Sequence, residues 1–168
     1  MFERFATLEE IFSYKLGSAL SMERQLVELF EQLEEHAVRE EIRHPLAVHR
    51  EEMLQHIANI KRCFKLLGEE VHNQPCSVGD AMANEGKAML KKTDDSLADV
   101  VIAALATEAA HYEIAVYETL IANADARKAT AVAKLLRENL AQDKHALTVA
   151  RTMMTTIPDQ GIVVGASA

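Results

Sequence analysis

LGSALSMERQLVELFEQL, residues 16–33, is the stretch whose spacing decides the fold. Leu16, Ala19, Leu20, Leu26, Val27, Phe30 and Leu33 recur at steps of three and four, continued upstream by Phe12. That is the period of an α-helix with one buried stripe. Glu23 lies close to the centre of the stripe. An unpaired buried carboxylate costs several kcal/mol, so it neutralises, pairs or binds a cation.

The same reading extends along the chain. Helices are predicted over about Thr7–Arg39, Pro45–Leu67, Ser96–Asn123 and Asp125–Met154, each with apolar residues at the 3–4 spacing. Pro45 is expected in the first turn of the second helix, and Gly68 just past its end. Ser96 with Asp99 resembles a capping pair opening the third. Short connections make the first two and the last two helices antiparallel hairpins. Between the hairpins a long connection, roughly Glu69 to Asp95, holds Asn73-Gln74-Pro75 and a weak cross-over helix at about Ser77–Lys92, with Gly79 and Gly86 inside it. The expectation is an all-α, up-down-up-down four-helix bundle with a short extra helix, spanning residues 1–155. Residues 156–168 read as a flexible tail.

Each of the four predicted bundle helices carries an acid on or beside its stripe: Glu23, Glu52, Glu113 and Asp143. At about 100° per residue, Glu23 and Asp143 are central, Glu113 shares a face with Ala103, Ala106, Ala110 and Tyr117, and Glu52 lies on the flank, roughly 80° off. His49 and His56 lie within about 40° of the centre of the second stripe. At 1.5 Å rise per residue, all four acids stand about three to five turns from their hairpin connections, so they meet near mid-height. A lone Glu in an apolar stripe snorkels to water, and a lone His there is an ordinary core residue. Coincidence in phase and depth on separate helices argues for a metal site. Four carboxylates and up to two imidazoles suit iron or manganese, one or two ions, better than structural zinc. Glu23 and Asp143 are the candidate terminal ligands, Glu113 and Glu52 the candidate bridges, and His49 or His56 the nitrogen ligands. Phase also rejects a decoy: Glu108-Ala-Ala-His111 has the Glu-x-x-His spacing of di-iron proteins, yet Glu108 points nearly opposite to Glu113. Tyr14, Tyr112 and Tyr117 read as aromatic core packing.

Composition bounds the function. The 168 residues are 49 % apolar and 26 % charged, with no Trp and a net charge of −8. No basic block suggests nucleic acid, no apolar run approaches a membrane span, and the N-terminus lacks the layout of a signal peptide. A cytoplasmic protein is expected. Cys63 falls on an apolar face, and neither it nor Cys76 has metal-ligand spacing.

The stretches SMERQL (21–26), LAVHREEMLQHI (46–57), HYEIAVYETL (111–120) and LLRENLAQDK (135–144) resemble the YciE/YciF family of ferritin-like bacterial stress proteins. The likeness covers roughly Leu8 to Met153, including the linker PCSVGDAM. It implies a five-helix, ferritin-like bundle, often dimeric, with a carboxylate-rich metal centre to which Glu23, His49, Glu52, Glu113 and Asp143 correspond. Three departures stand out. Ala110 replaces the first acid of the family's Glu-His-Tyr-Glu, Gln142-Asp143 replaces a Glu pair, and His56 is not usually His. Fewer negative charges weaken a second ion more than the first. The expected function is an iron- or manganese-binding, stress-related oxidoreductase acting on O₂ or peroxide, with ferroxidase or peroxidase chemistry. The alternatives are a non-catalytic interaction protein with a degenerate or structural site, and a metal-free network of carboxylates sharing protons. An access route for an organic substrate cannot be read from sequence.

Overall fold

A computed structural model describes residues 4–159, all of whose regular structure is helical. The elements are α1 (Leu8–His36), α2 (Glu40–Leu67), α3 (Ser77–Leu90), α4 (Asp95–Ala126) and α5 (Thr130–Asp159). Helices α1, α2, α4 and α5 form a ferritin-like bundle, and α3 lies across α1 and α4.

Local chemistry sets most of the ends. Thr7 caps α1: its hydroxyl accepts from the Glu10 N–H at 3.1 Å, and the Glu10 carboxylate accepts from the Thr7 N–H at 3.1 Å. Gly68 ends α2 in the left-handed conformation (φ 74°), a position that favours glycine. The start of α2 differs from expectation. It begins at Glu40, so Pro45 sits inside the helix, where it removes one backbone donor. Asp99 does not cap α4. It reaches to the α1–α2 turn, accepts from the Val38 N–H at 2.9 Å and pairs with Arg39 at 3.3 Å. Helix α5 continues past Met154 to Asp159 with Ile157 buried, so the expected bundle limit at residue 155 falls within a helix. Residues 160–168 of the expected tail lie outside the described residues.

The connection between the hairpins sets the direction of the second one. It climbs the side of α1: Ser18 donates to the Pro75 carbonyl at 3.1 Å, and Gln25 donates to Asp80 at 2.5 Å. Glycine lets α3 approach this closely, since a Cβ at Gly86 would stand 2.5 Å from a Leu29 methyl. Helix α4 therefore starts beside the α1–α2 turn and ends beside the start of α1, where Arg127 lies 4.8 Å over the Phe12 ring. The directions run up, down, down, up, rather than alternating.

Helix α4 is long and apolar enough by composition to cross a membrane, contrary to the expectation that no run approaches a span. In the bundle its apolar face is buried among α1, α3 and α5, and Glu113 sits in the middle of that face. The core runs the length of the bundle through Leu16, Leu20, Met53, Ile60, Phe64, Ile102, Leu120 and Leu136. It is interrupted near mid-height by polar residues.

Candidate metal centre

Five ionisable side chains from four helices meet at that interruption. Glu23 comes from α1, His49 and His56 from α2, Glu113 from α4 and Asp143 from α5. Glu23, His56, Glu113 and Asp143 are fully buried, and His49 is nearly so. Their ligand atoms form two groups, Glu23–His56–Glu113 and His49–Glu113–Asp143, each with its atoms within 4.8 Å of one another. A first-row ion holds N and O ligands at about 2.0–2.2 Å, so donors on opposite sides of it stand about 4 Å apart. Glu113 belongs to both groups.

The fit to a cation rests on unpaired atoms. Glu23 Oε2, both Glu113 oxygens, both Asp143 oxygens, His49 Nε2 and His56 Nδ1 are buried without a hydrogen-bond partner. Buried polar atoms are rarely left this way, and each costs about 1–3 kcal/mol. Seven on five converging residues make a set of donors that an oxygen- and nitrogen-seeking cation would satisfy.

Each imidazole is oriented by a partner on its far side. His49 donates from Nδ1 to Glu52 at 3.1 Å, which leaves Nε2 facing Glu113 Oε2 at 3.7 Å. His56 donates from Nε2 to the Gln142 amide oxygen at 2.9 Å. Its Nδ1 then faces Glu23 at 3.3 Å and Asp143 at 3.6 Å. A hydrogen bond from the remote ring nitrogen is the usual way a protein fixes the tautomer of a metal-binding histidine. The departures at positions 56 and 142 are thus one unit: the amide at 142 holds the imidazole at 56.

Without an ion, protons do the neutralising. Burial alone would lower the pKa of His49, but the nearby Glu113 carboxylate, the hydrogen bond to Glu52 and the charge of Glu23 outweigh it and raise it to about 9. Burial likewise works against the charged form of His56, and the charge of Glu23 overcomes it. Burial raises the Glu113 carboxyl. Burial, reinforced by the charges of Glu113, Glu23 and Glu52, takes Asp143 to about 11. Glu52 moves the other way, held ionised by its hydrogen bond to His49.

The predicted residues are therefore placed as follows. Glu23, His49, His56, Glu113 and Asp143 converge. Glu52 stays on the flank, its side chain 23 % exposed, and touches the centre through His49. Glu108 and His111 are exposed, and His111 contacts Arg151 at 3.2 Å. Tyr14 packs on Phe5, and Tyr112 contacts Cys76.

Tyr117 is more than core packing, since its buried hydroxyl donates to Glu23 Oε1. Behind it lies a polar network that sequence reasoning missed. Asn139 donates to Tyr117 Oη at 2.9 Å and to the His56 carbonyl at 3.4 Å. Asn59 donates to Asn139 at 2.7 Å, and Gln55 donates to Asn59 at 3.1 Å. Asn139 precedes Asp143 by four residues and Asn59 follows His56 by three, so the helical phase that found the ligands also pointed to them.

Comparison with known proteins gives a consistent picture. Residues 7–161 match the family described as a domain of unknown function, DUF892. Protein YciF of Escherichia coli strain K12 is 26 % identical over 140 residues, covering 82 % of this chain and 84 % of that protein. Among solved structures, the Rhodopseudomonas palustris protein YcfI is 28 % identical with a TM-score of 0.86, over 90 % of this chain and 98 % of that one. The E. coli stress protein YciF is 23 % identical in the superposition with a TM-score of 0.89, over 94 % of this chain and all of that one, and shows the same fold.

Proposed function

This chain belongs to the DUF892 family of YciE/YciF proteins, and we propose that it is an iron- or manganese-binding member whose bundle centre carries out redox chemistry on O₂ or peroxide. One observation carries the reading: on the converging Glu23, His49, His56, Glu113 and Asp143, seven buried donor atoms have no hydrogen-bond partner. Glu113 would bridge, Glu23 with His56 would hold one side, and His49 with Asp143 the other. A bound ion of this kind supplies open positions and a change of oxidation state. The chain's own residues prepare for it. Glu52 and Gln142 aim the two imidazoles, and Tyr117 donates to Glu23 Oε1, the oxygen that lies 3.3 Å from His56 Nδ1. Two free, buried cysteines accord with a reducing cytoplasm, and the stress role of YciF suggests a similar setting here. A homodimer is part of the reading.

The test is anaerobic titration with Fe(II), followed by air. One or two ions per chain should bind, and an oxidised species should form. Absence of uptake by protein made in iron-supplemented medium, with Glu23→Ala leaving metal content unchanged, would sink the proposal.

A second reading is a structural metal site in a non-catalytic protein. Ala110 favours it, since it is wholly buried and supplies no ligand where the family has an acid. In that case metal raises the Tm, and neither peroxide nor O₂ is turned over.

A further inference from the structure

A cleft of about 230 Å³ opens beside the centre, between α2 and α5. Phe30, Ala106, Val149 and Met153 line it with apolar surface. Its polar lining toward the centre is His49 and Glu52, the pair whose far side faces Glu113. One Glu52 oxygen is engaged by His49, which leaves the other as an acceptor, and the exposed His44 and His145 complete the polar lining.

Size and charge narrow the occupant. An engineered apolar cavity of about 150 Å³ in another protein takes up benzene, so this cleft has room for one ring with a small substituent. The apolar lining disfavours a charged molecule, because a stripped charge there would lose its hydration. The Glu52 carboxylate accepts from a neutral O–H donor.

We propose that the cleft binds a small phenol, its ring against Phe30, Ala106, Val149 and Met153 and its hydroxyl donating to Glu52. The inference names the class of organic molecule that reaches the metal centre. It rests on the metal reading for any chemistry done there, but the binding itself does not require an ion.

Calorimetric titration of chelator-treated protein with 4-methylphenol, toluene and 4-methylbenzoate tests it. The phenol should saturate with a Kd of about 1 mM or below. Toluene should bind about fivefold more weakly, and the benzoate at least about tenfold more weakly. Glu52→Leu should abolish the preference for the phenol over toluene. Ala146→Phe, which fills the cleft from α5, should abolish binding of both. Val149→Phe serves the same purpose if the first variant does not fold, as judged by circular dichroism. Three results overturn the proposal: no saturable binding of the phenol to folded protein, equal affinity for the benzoate, or unchanged binding in the filled variant. Metal content of the same preparation is measured separately. A protein that takes up metal but no phenol loses this inference alone, and one that binds phenol but no metal loses the proposed function alone.

Discussion

Two buried polar clusters sit one above the other in the same bundle, and they are built on opposite principles. The lower one, Asn59, Asn139 and Tyr117 with Gln55 at its edge, joins each member to the next by hydrogen bonds. The upper one, Glu23, His49, His56, Glu113 and Asp143, leaves seven buried atoms without a hydrogen-bond partner. Both interrupt the same apolar stripes, so tolerance for buried polarity in general does not explain the difference. A closed network specifies how helices pack. An open set of acceptors waits for something to fill it. If this contrast is sound, mutations in the two clusters should affect different properties.

The largest separation is expected at Glu113, shared by both candidate ion positions. Losing a group that merely orients a ligand costs about 10–100-fold in metal affinity, so Glu113→Gln should cost more than about 100-fold. Burial already favours the neutral form of this carboxyl in the metal-free protein. The amide mimics that form, and the metal-free Tm should stay within about 3 °C of the parent. Metal analysis and calorimetry read the two effects. A large drop in metal-free Tm with metal uptake intact would erase the contrast.

The converse variant is Asn139→Ala. It strips partners from Asn59, from Tyr117 and from the His56 carbonyl, and leaves a small cavity. The expected cost is about 2–4 kcal/mol, or a fall in Tm of about 10 °C, in both the metal-free and the metal-loaded protein. Metal stoichiometry should hold.

These two variants also mark what was legible in the sequence. The four bundle helices and the convergence of Glu23, Glu113 and Asp143 follow from the 3.6-residue period alone, because a charge in an apolar stripe is conspicuous. Asn139 and Asn59 obey the same period but are neutral, and a neutral amide raises no alarm without its partners in view. Glu52 lay on the flank by phase, as the structure has it. Its role of aiming His49 depends on a rotamer, which periodicity does not encode. The direction of the second hairpin was misread because a cross-over of this length can return the chain to either end of the bundle. The close contacts of Gly86 and Gln25 along α1, and of Asp99 at the α1–α2 turn, show which.

Titration should separate the clusters further. In the metal-free fold, His49 is raised from 6.5 to about 9 and Asp143 from 3.8 to about 11, so both hold protons more tightly folded than unfolded. The contribution of His49 is fully present below its unfolded value of 6.5 and is lost as pH rises through about 9. Asp143 adds a loss of the same sign, beginning above its unfolded value of 3.8. The metal-free Tm should therefore fall by several degrees between about pH 6.5 and 9. Metal must displace the same protons, so its affinity should rise over that window and flatten the loss. In the closed network, the Tyr117 hydroxyl is pushed well above the ordinary tyrosine range by burial and by the charges of Glu23 and Asp143. The Tm deficit of Asn139→Ala should accordingly be the same at both ends of the window.

The smallest expected effect lies at His56, which belongs to both clusters. Its carbonyl accepts from Asn139 in the closed network, and its ring Nδ1 faces the open one. Gln142 decides which ring nitrogen is presented, by accepting from Nε2 at 2.9 Å. Gln142→Leu removes that acceptor without touching any proposed ligand. The ring loses its reason to keep Nδ1 toward Glu23, and metal affinity should fall about tenfold with stoichiometry unchanged. Gln142→Glu restores an acceptor with a negative charge and should recover or exceed the parent affinity, as carboxylate partners do for metal-bound histidines. If Gln142→Leu and Gln142→Glu bind metal equally well, His56 is a core histidine belonging to the closed network alone. The nitrogen ligand would then be His49 by itself, aimed by Glu52.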